Sequence, residues 1–228
     1  DAVVGMRTKL INHVRGSVKS VGERLEKHSG PSFALKVDDK IPEPLRKALD
    51  PVLRLITAVT DTIREFDKTV ADLNVKYPVT AQLRKVDGVG PITALAFVLI
   101  LASPRRVKKS RDVGAYVGLV SRRCQSGGSD PELRITKAGD RMLRKYLVQA
   151  AQRITGNFGK DSDLRTFGLA LAGRGRKNAK KRAVIAVARK LSVLLHRLWV
   201  TGKPYEPIRP KKPPKASPEP TPVGTTSP

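Results

Sequence analysis

The sequence predicts a mainly α protein: a helical coiled-coil hairpin, then a compact helical domain containing a helix-hairpin-helix element, then a disordered Pro-rich tail. Three observations carry this expectation. Apolar residues from Leu45 to Leu73 recur in alternating steps of four and three. Residues 86–94 read Val-Asp-Gly-Val-Gly-Pro-Ile-Thr-Ala, a glycine turn with proline where a helix would begin. Nine of the 17 prolines fall between Lys203 and Pro228. The expected divisions are an arm over 1–76, the compact domain over 77–202 and the tail over 203–228.

In the arm, Leu45, Leu49, Val52, Ile56, Val59, Ile63, Phe66, Val70 and Leu73 form a heptad seam of about four repeats. Pro51 after Asp50 suggests a helix start there, with Asp50 as its cap. Upstream, Ile11, Val14, Val18, Val21 and Leu25 repeat the spacing, and Ser29-Gly30-Pro31 breaks that helix. The seam either joins the two helices within one subunit or pairs copies of the chain into a homo-oligomer.

The hairpin comes next. Gly88 and Gly90 flank Val89 and precede Pro91 and Thr93. Glycine permits positive φ and close backbone approach, and proline at a first helical position gives up an N–H that would be unpaired anyway. The following helix then offers free N–H groups to a phosphate. An ordinary Gly-Pro turn between helices is the alternative. Beyond it, Ile92–Ala102 reads as a buried helix, Ser110–Leu119 as a short one, and Ala138–Ile154 as a longer one with Leu143, Leu147, Ala150, Ala151 and Ile154 on one face. A last helix runs to about Val200, with Ala183, Val187, Leu191, Leu194, Leu195 and Leu198 inward and Lys180, Lys181, Arg182, Arg189, Lys190 and Arg197 opposite. That face extends a basic run beginning at Arg174 and Arg176. The tail is too polar to bury a core.

With 45 Lys and Arg against 20 Asp and Glu, a net charge of +25 and a pI near 10.7, the natural partner is a polyanion. Double-stranded DNA leads, because the hairpin grips backbone. Aromatics at 4% argue against a single-strand binder built on an aromatic platform. No apolar run approaches the ~18 residues of a membrane span, so no membrane partner is expected. One cysteine, Cys124, and three scattered histidines, His13, His28 and His196, assemble neither a disulfide framework nor a zinc site. A reducing, cytoplasmic, nucleoid-associated setting fits. The chain opens with Asp1-Ala2-Val3-Val4 and no initiator Met, which reads as a start in mid-gene.

The polar loop over 121–136 holds Cys124-Gln125-Ser126-Gly127-Gly128-Ser129, with Arg122, Arg123 and Arg134 close by and Lys137 just beyond. Glycines leave the Ser126 hydroxyl open, and arginines suit a phosphoryl transition state. Ser-Gly-Gly also occurs in plain flexible turns. Cys124 has no histidine near it in sequence and reads as structural.

Taken in order, the 86–94 block, Ser103-Pro104-Arg105-Arg106, Ala115-Tyr116-Val117-Gly118-Leu119, Gln125-Ser126-Gly127-Gly128 and Ile135-Thr136-Lys137-Ala138-Gly139-Asp140-Arg141 resemble the C-terminal domain of the DEDD insertion-sequence transposases. These are the bridge-RNA-guided recombinases. The resemblance covers roughly 80–205, and the arm is similar to the family's coiled coil. It implies a transposase that binds DNA and supplies a serine, matched by Ser126, to cut and rejoin strands through a phosphoserine link. It also implies a guide RNA, and an N-terminal acidic domain binding Mg²⁺. That domain is not expected here, since Asp1 is the one acidic residue before Ile11, and no cofactor is expected in this fragment. Ser129 stands where the family usually carries a basic residue. Two other readings of the residues stay open: a non-catalytic helix-hairpin-helix DNA-binding module, and a basic RNA-binding structural protein.

Overall fold

In the computed structural model of this chain, residues 1–128, 133–175 and 178–208 are described. The expected Pro-rich tail, Arg176 and Ser129 lie largely or wholly outside them. The described residues are mostly helical, as the sequence predicts, and include an isolated antiparallel bridge, Ser121 to Ile135. The chain divides into two units, one of residues 1–81 with 91–99, the other of 82–90 with 100–228.

The first unit is built on α1 (Ala2–Ser20), α2 (Phe33–Val37) and α3 (Glu43–Lys76). Ile11, Val14 and Val18 of α1 pack with Phe33 and Val37 of α2, Ile41, and Leu49, Leu53 and Ile56 of α3. The heptad seam therefore serves partly within one molecule. Helix α1 ends earlier than the Ser29-Gly30-Pro31 break. Gly22, at φ +87°, lets its own N–H reach Lys19 O (3.1 Å) and lets Glu23 N–H reach Val18 O (3.3 Å), which closes the last turn. Helix α3 begins eight residues before Pro51, so Asp50 is not its cap. Pro51 is exposed, and burial of Leu49 and Leu53 on either side holds the helix through a residue that removes one of its hydrogen bonds. Beyond Ile56 the seam opens: Val59 is buried, Ile63, Val70 and Leu73 are half-buried, and Phe66 is 56% exposed. Near its end, Asn74 Nδ2 donates to Val70 O (2.7 Å) and Pro91 O (3.4 Å), and Thr80 Oγ1 donates to Asn74 O (3.0 Å).

The division between the units runs through two helices, α4 (Val79–Leu83) and α5 (Pro91–Leu101). The second unit otherwise comprises α6 (Val113–Tyr116), α7 (Arg141–Thr155), α8 (Asp163–Ala172) and α9 (Ala179–Thr201). The expected short helix over 110–119 is a 3₁₀ turn, Ser110–Asp112, leading into α6. Helix α7 starts at Arg141 rather than Ala138, because Lys137 and Gly139 hold positive φ (58° and 69°) and Asp140 caps the helix, accepting from Leu143 N–H at 2.6 Å. Its buried face is the one expected. Helix α8 has no counterpart in the sequence reading. Helix α9 buries the apolar face read from its sequence, packs on α6, α7 and α8, and ends at Gly202 with φ +64°. Within its core, the His196 ring lies 2.9 Å by Nδ1 from Ser110 Oγ and 2.9 Å by Nε2 from Pro104 O. A carbonyl only accepts, so Nε2 carries the proton and His196 is a structural tie.

Candidate nucleic-acid interface and serine loop

The serine loop is held at its base by backbone. Lys137 N–H donates to Gly118 O (3.1 Å), Thr136 N–H to Val120 O (2.9 Å) and Arg122 N–H to Arg134 O (2.9 Å), so 118–122 and 134–137 run antiparallel. Gly118 and Gly139 make this approach possible. A β-carbon on Gly118 would overlap the Ala138 backbone, and one on Gly139 would overlap the Tyr116 carbonyl. Arg144 Nη1 locks the pair by donating to Val117 O (3.0 Å) and Ala138 O (2.7 Å). Ser126 and its neighbours out to Gly128 are exposed, Gly127 at φ +57°. No histidine or carboxylate among the described residues hydrogen-bonds the Ser126 hydroxyl. Cys124 is a free, exposed thiol. The expectation that it is structural is corrected: a core role needs burial, and the loop stands clear of the core.

Below this loop lies a groove of about 1250 Å³. Helix α9 contributes Lys181, Arg182, Arg189, Lys190 and Arg197 to its lining. The loop base adds Arg134 and Lys137, and the turn before α6 adds Arg111. Against these eight cations stand Asp163 and Glu206. Such a field concentrates polyanions. Three residues expected to touch nucleic acid, Arg134, Lys137 and Lys181, thus meet across about 45 residues of sequence. Arg122 and Arg123 are exposed on the loop itself, while Lys180 and Arg174 are exposed outside the groove lining.

The glycine turn divides its labour. Gly88 holds φ +81°, and a methyl there would sit 2.7 Å from Ala150 O and 3.0 Å from Ile154 Cγ1, so the turn is pressed on α7. Asp87 Oδ2 accepts from Lys160 N–H at 2.9 Å on the same side. Gly90 needs no positive φ and has nothing within 4 Å of an added methyl. The side chains of Val89 and Thr93 are buried, at 5% and 8% exposure, so these positions can offer only backbone to a ligand. Among the described residues, no three His, Cys, Asp or Glu side chains converge as metal ligands, and no helix is long and apolar enough to cross a membrane.

The second unit thus presents an exposed serine loop above a groove lined by eight cations. Residues 80–166, from the glycine turn through the serine loop and α7 into α8, match the family described as Transposase IS116/IS110/IS902. The chain is 26% identical over 217 residues to the transposase for insertion sequence element IS1111A of Coxiella burnetii, covering 90% of this chain and 57% of that protein. It is likewise 26% identical over 209 residues to the putative transposase y4pF/y4sB of Sinorhizobium fredii, covering 90% and 54%. A probable family 20 transposase of Pseudomonas aeruginosa is 26% identical over 216 residues, covering 90% and 62%. The chain spans about half the length of the curated relatives it matches.

Proposed function

We propose that this chain is the DNA-binding, serine-bearing portion of an insertion-sequence transposase. The observation that carries the reading is the cationic groove beneath the Ser126 loop, in a chain whose 80–166 segment is of the transposase family. Duplex DNA is held by its backbone. The Gly88–Gly90 turn gives a close main-chain approach in the manner of a helix-hairpin-helix, and the arginines and lysines of the loop and α9 supply general attraction. Ser126 Oγ attacks a strand phosphate, an Oγ–P bond forms as a bridging P–O bond breaks, and the departing strand leaves with a hydroxyl end. The phosphoserine ester conserves the bond energy, so a hydroxyl end can reverse the step and rejoin.

Family resemblance adds three further parts to this proposal. A guide RNA directs the DNA choice, the open half of the α3 seam joins copies of the chain, and an acidic module supplies Mg²⁺, which neutralises phosphate charge when bound. This chain's described residues do not fit that ion, because no donor set converges. Its own part is to bind, orient and attack. Alone, it acts as a non-catalytic DNA-binding module, a second reading favoured by the groove's eight lining cations.

Fluorescence anisotropy with labelled duplexes of unrelated sequence tests the binding. Affinity should differ little among sequences and, with six to ten phosphates contacted, fall by roughly 10³ to 10⁵ between about 50 and 200 mM salt. Binding indifferent to salt would remove the groove from the account.

A further inference from the structure

The groove below the serine loop carries a feature that duplex contact leaves unused: an apolar floor. Leu164 and Phe167 of α8 and Ile185 and Val193 of α9 line it together with the cations. We propose that it holds an unpaired nucleic-acid strand, with phosphates along its cationic wall and a base against Phe167. The strand's origin in strand exchange rests on the transposase reading; the site is argued from its lining.

A paired, stacked duplex shows a protein surface phosphate and sugar, and would leave this floor wet. An unpaired strand also shows base faces, which stack on aromatic side chains whatever their sequence; the low aromatic content argues against an extended platform, whereas this site needs one ring, Phe167. Phe167 is half-buried in the groove floor, and Lys190 Nζ sits 3.5 Å from its ring centroid. Ammonium and ring thus form one composite surface, the first suited to a phosphate and the second to its base. The segment after α9 brings a second aromatic, Tyr205, to the same groove. Along α9 the cations come as Lys181–Arg182, Arg189–Lys190 and Arg197, groups about two turns or ~11–12 Å of helix rise apart that all line the groove.

The chain's own C-terminal tail does not suit the groove. It carries Arg209, Lys211, Lys212 and Lys215 against Glu219, the same sign as the wall. The occupant is therefore an external polyanion. Because the loop base, Ser121 with Leu133 to Ile135, forms part of the lining, the bound strand passes beside the loop that carries Ser126.

The experiment uses the full chain and anisotropy of labelled oligo-dT, oligo-U and an abasic oligomer of the same length and charge. Oligo-dT or oligo-U should bind roughly 5- to 100-fold tighter than the abasic strand, the range expected for loss of base stacking on an aromatic side chain. Which of the two binds tighter tells DNA from RNA as the source. Phe167→Ala should abolish that difference and leave abasic and duplex binding unchanged, and Phe167→Leu should do the same while preserving bulk and fold. Equal binding of base-bearing and abasic strands overturns the proposal. So does capture of a Glu-rich amphipathic helical peptide without oligo-dT binding, which would make the groove a protein-docking site. Duplex binding unchanged in Gly90→Val, with the preference for base-bearing strands intact, would count against the hairpin and leave this site standing.

Discussion

Gly88 and Gly90 look alike in sequence, and their replacement by alanine should have opposite consequences. At Gly88 the added methyl meets the Ala150 carbonyl oxygen at 2.7 Å, a main-chain atom that cannot rotate away, and the backbone holds φ +81°. The left-handed conformation costs a non-glycine residue about 1–2 kcal/mol, and the overlap adds about 1–3 kcal/mol. Together these give about 2–5 kcal/mol. Gly90 has neither constraint, so Gly90→Ala should stay within about 0.5 kcal/mol of the parent. The chain's one tryptophan, Trp199 in α9, reports the unfolding of the second unit by fluorescence. With a urea slope of about 2 kcal/mol/M, the Gly88→Ala midpoint should drop by about 1–2.5 M while that of Gly90→Ala hardly moves. Equal midpoints for the two variants would refute the packing of the turn on α7.

Phe66→Asp alters the open half of the α3 seam without touching the core of the first unit, so sedimentation should show loss of self-association with helicity intact; a parent already monomeric at micromolar concentration would make the seam wholly intramolecular. Ile56 is unsuitable for that test, since at 1% exposure it is core. His196→Leu removes both polar ties of a buried ring and leaves Ser110 Oγ and Pro104 O without it. Thermal unfolding should register a loss of about 2–4 kcal/mol; a change under about 0.5 kcal/mol would contradict the structural role.

Helices whose packing follows their local pattern were legible before any coordinates. On α7 and α9, the apolar faces at Leu143 to Ile154 and Ala183 to Leu198 are the buried ones, because one period sets the whole face. Helix α8 was not legible. Gly168 interrupts its pattern and reads locally as a breaker, yet a methyl there would lie 2.6 Å from Thr155 Cγ2 and 2.8 Å from Val187 Cγ2. The glycine marks close packing of α8 on its neighbours, a nonlocal fact. Pro51 misled for the same reason, since core contacts carry α3 through a residue that local rules place at a helix start. Seven of the groove's eight cations stood out from charge and order, and Arg111 did not, since it lies in a short turn outside both the serine loop and the basic run from Arg174. Their meeting in one groove with an apolar floor was not legible, because half of that floor belongs to α8.

The proposed attack by Ser126 is tested most directly by trapping the protein on DNA. The chain is joined to the N-terminal half of a relative such as the IS1111A transposase, incubated with labelled DNA, guide RNA and Mg²⁺, and run on a denaturing gel. A covalent protein–DNA band should form, persist in Ser129→Ala and Cys124→Ala, and vanish in Ser126→Ala; the chain without the joined module should give none. A band that survives Ser126→Ala and disappears with Ser129→Ala or Cys124→Ala would contradict the assignment, and cleavage by the chain alone would contradict the division of the chemistry between two modules.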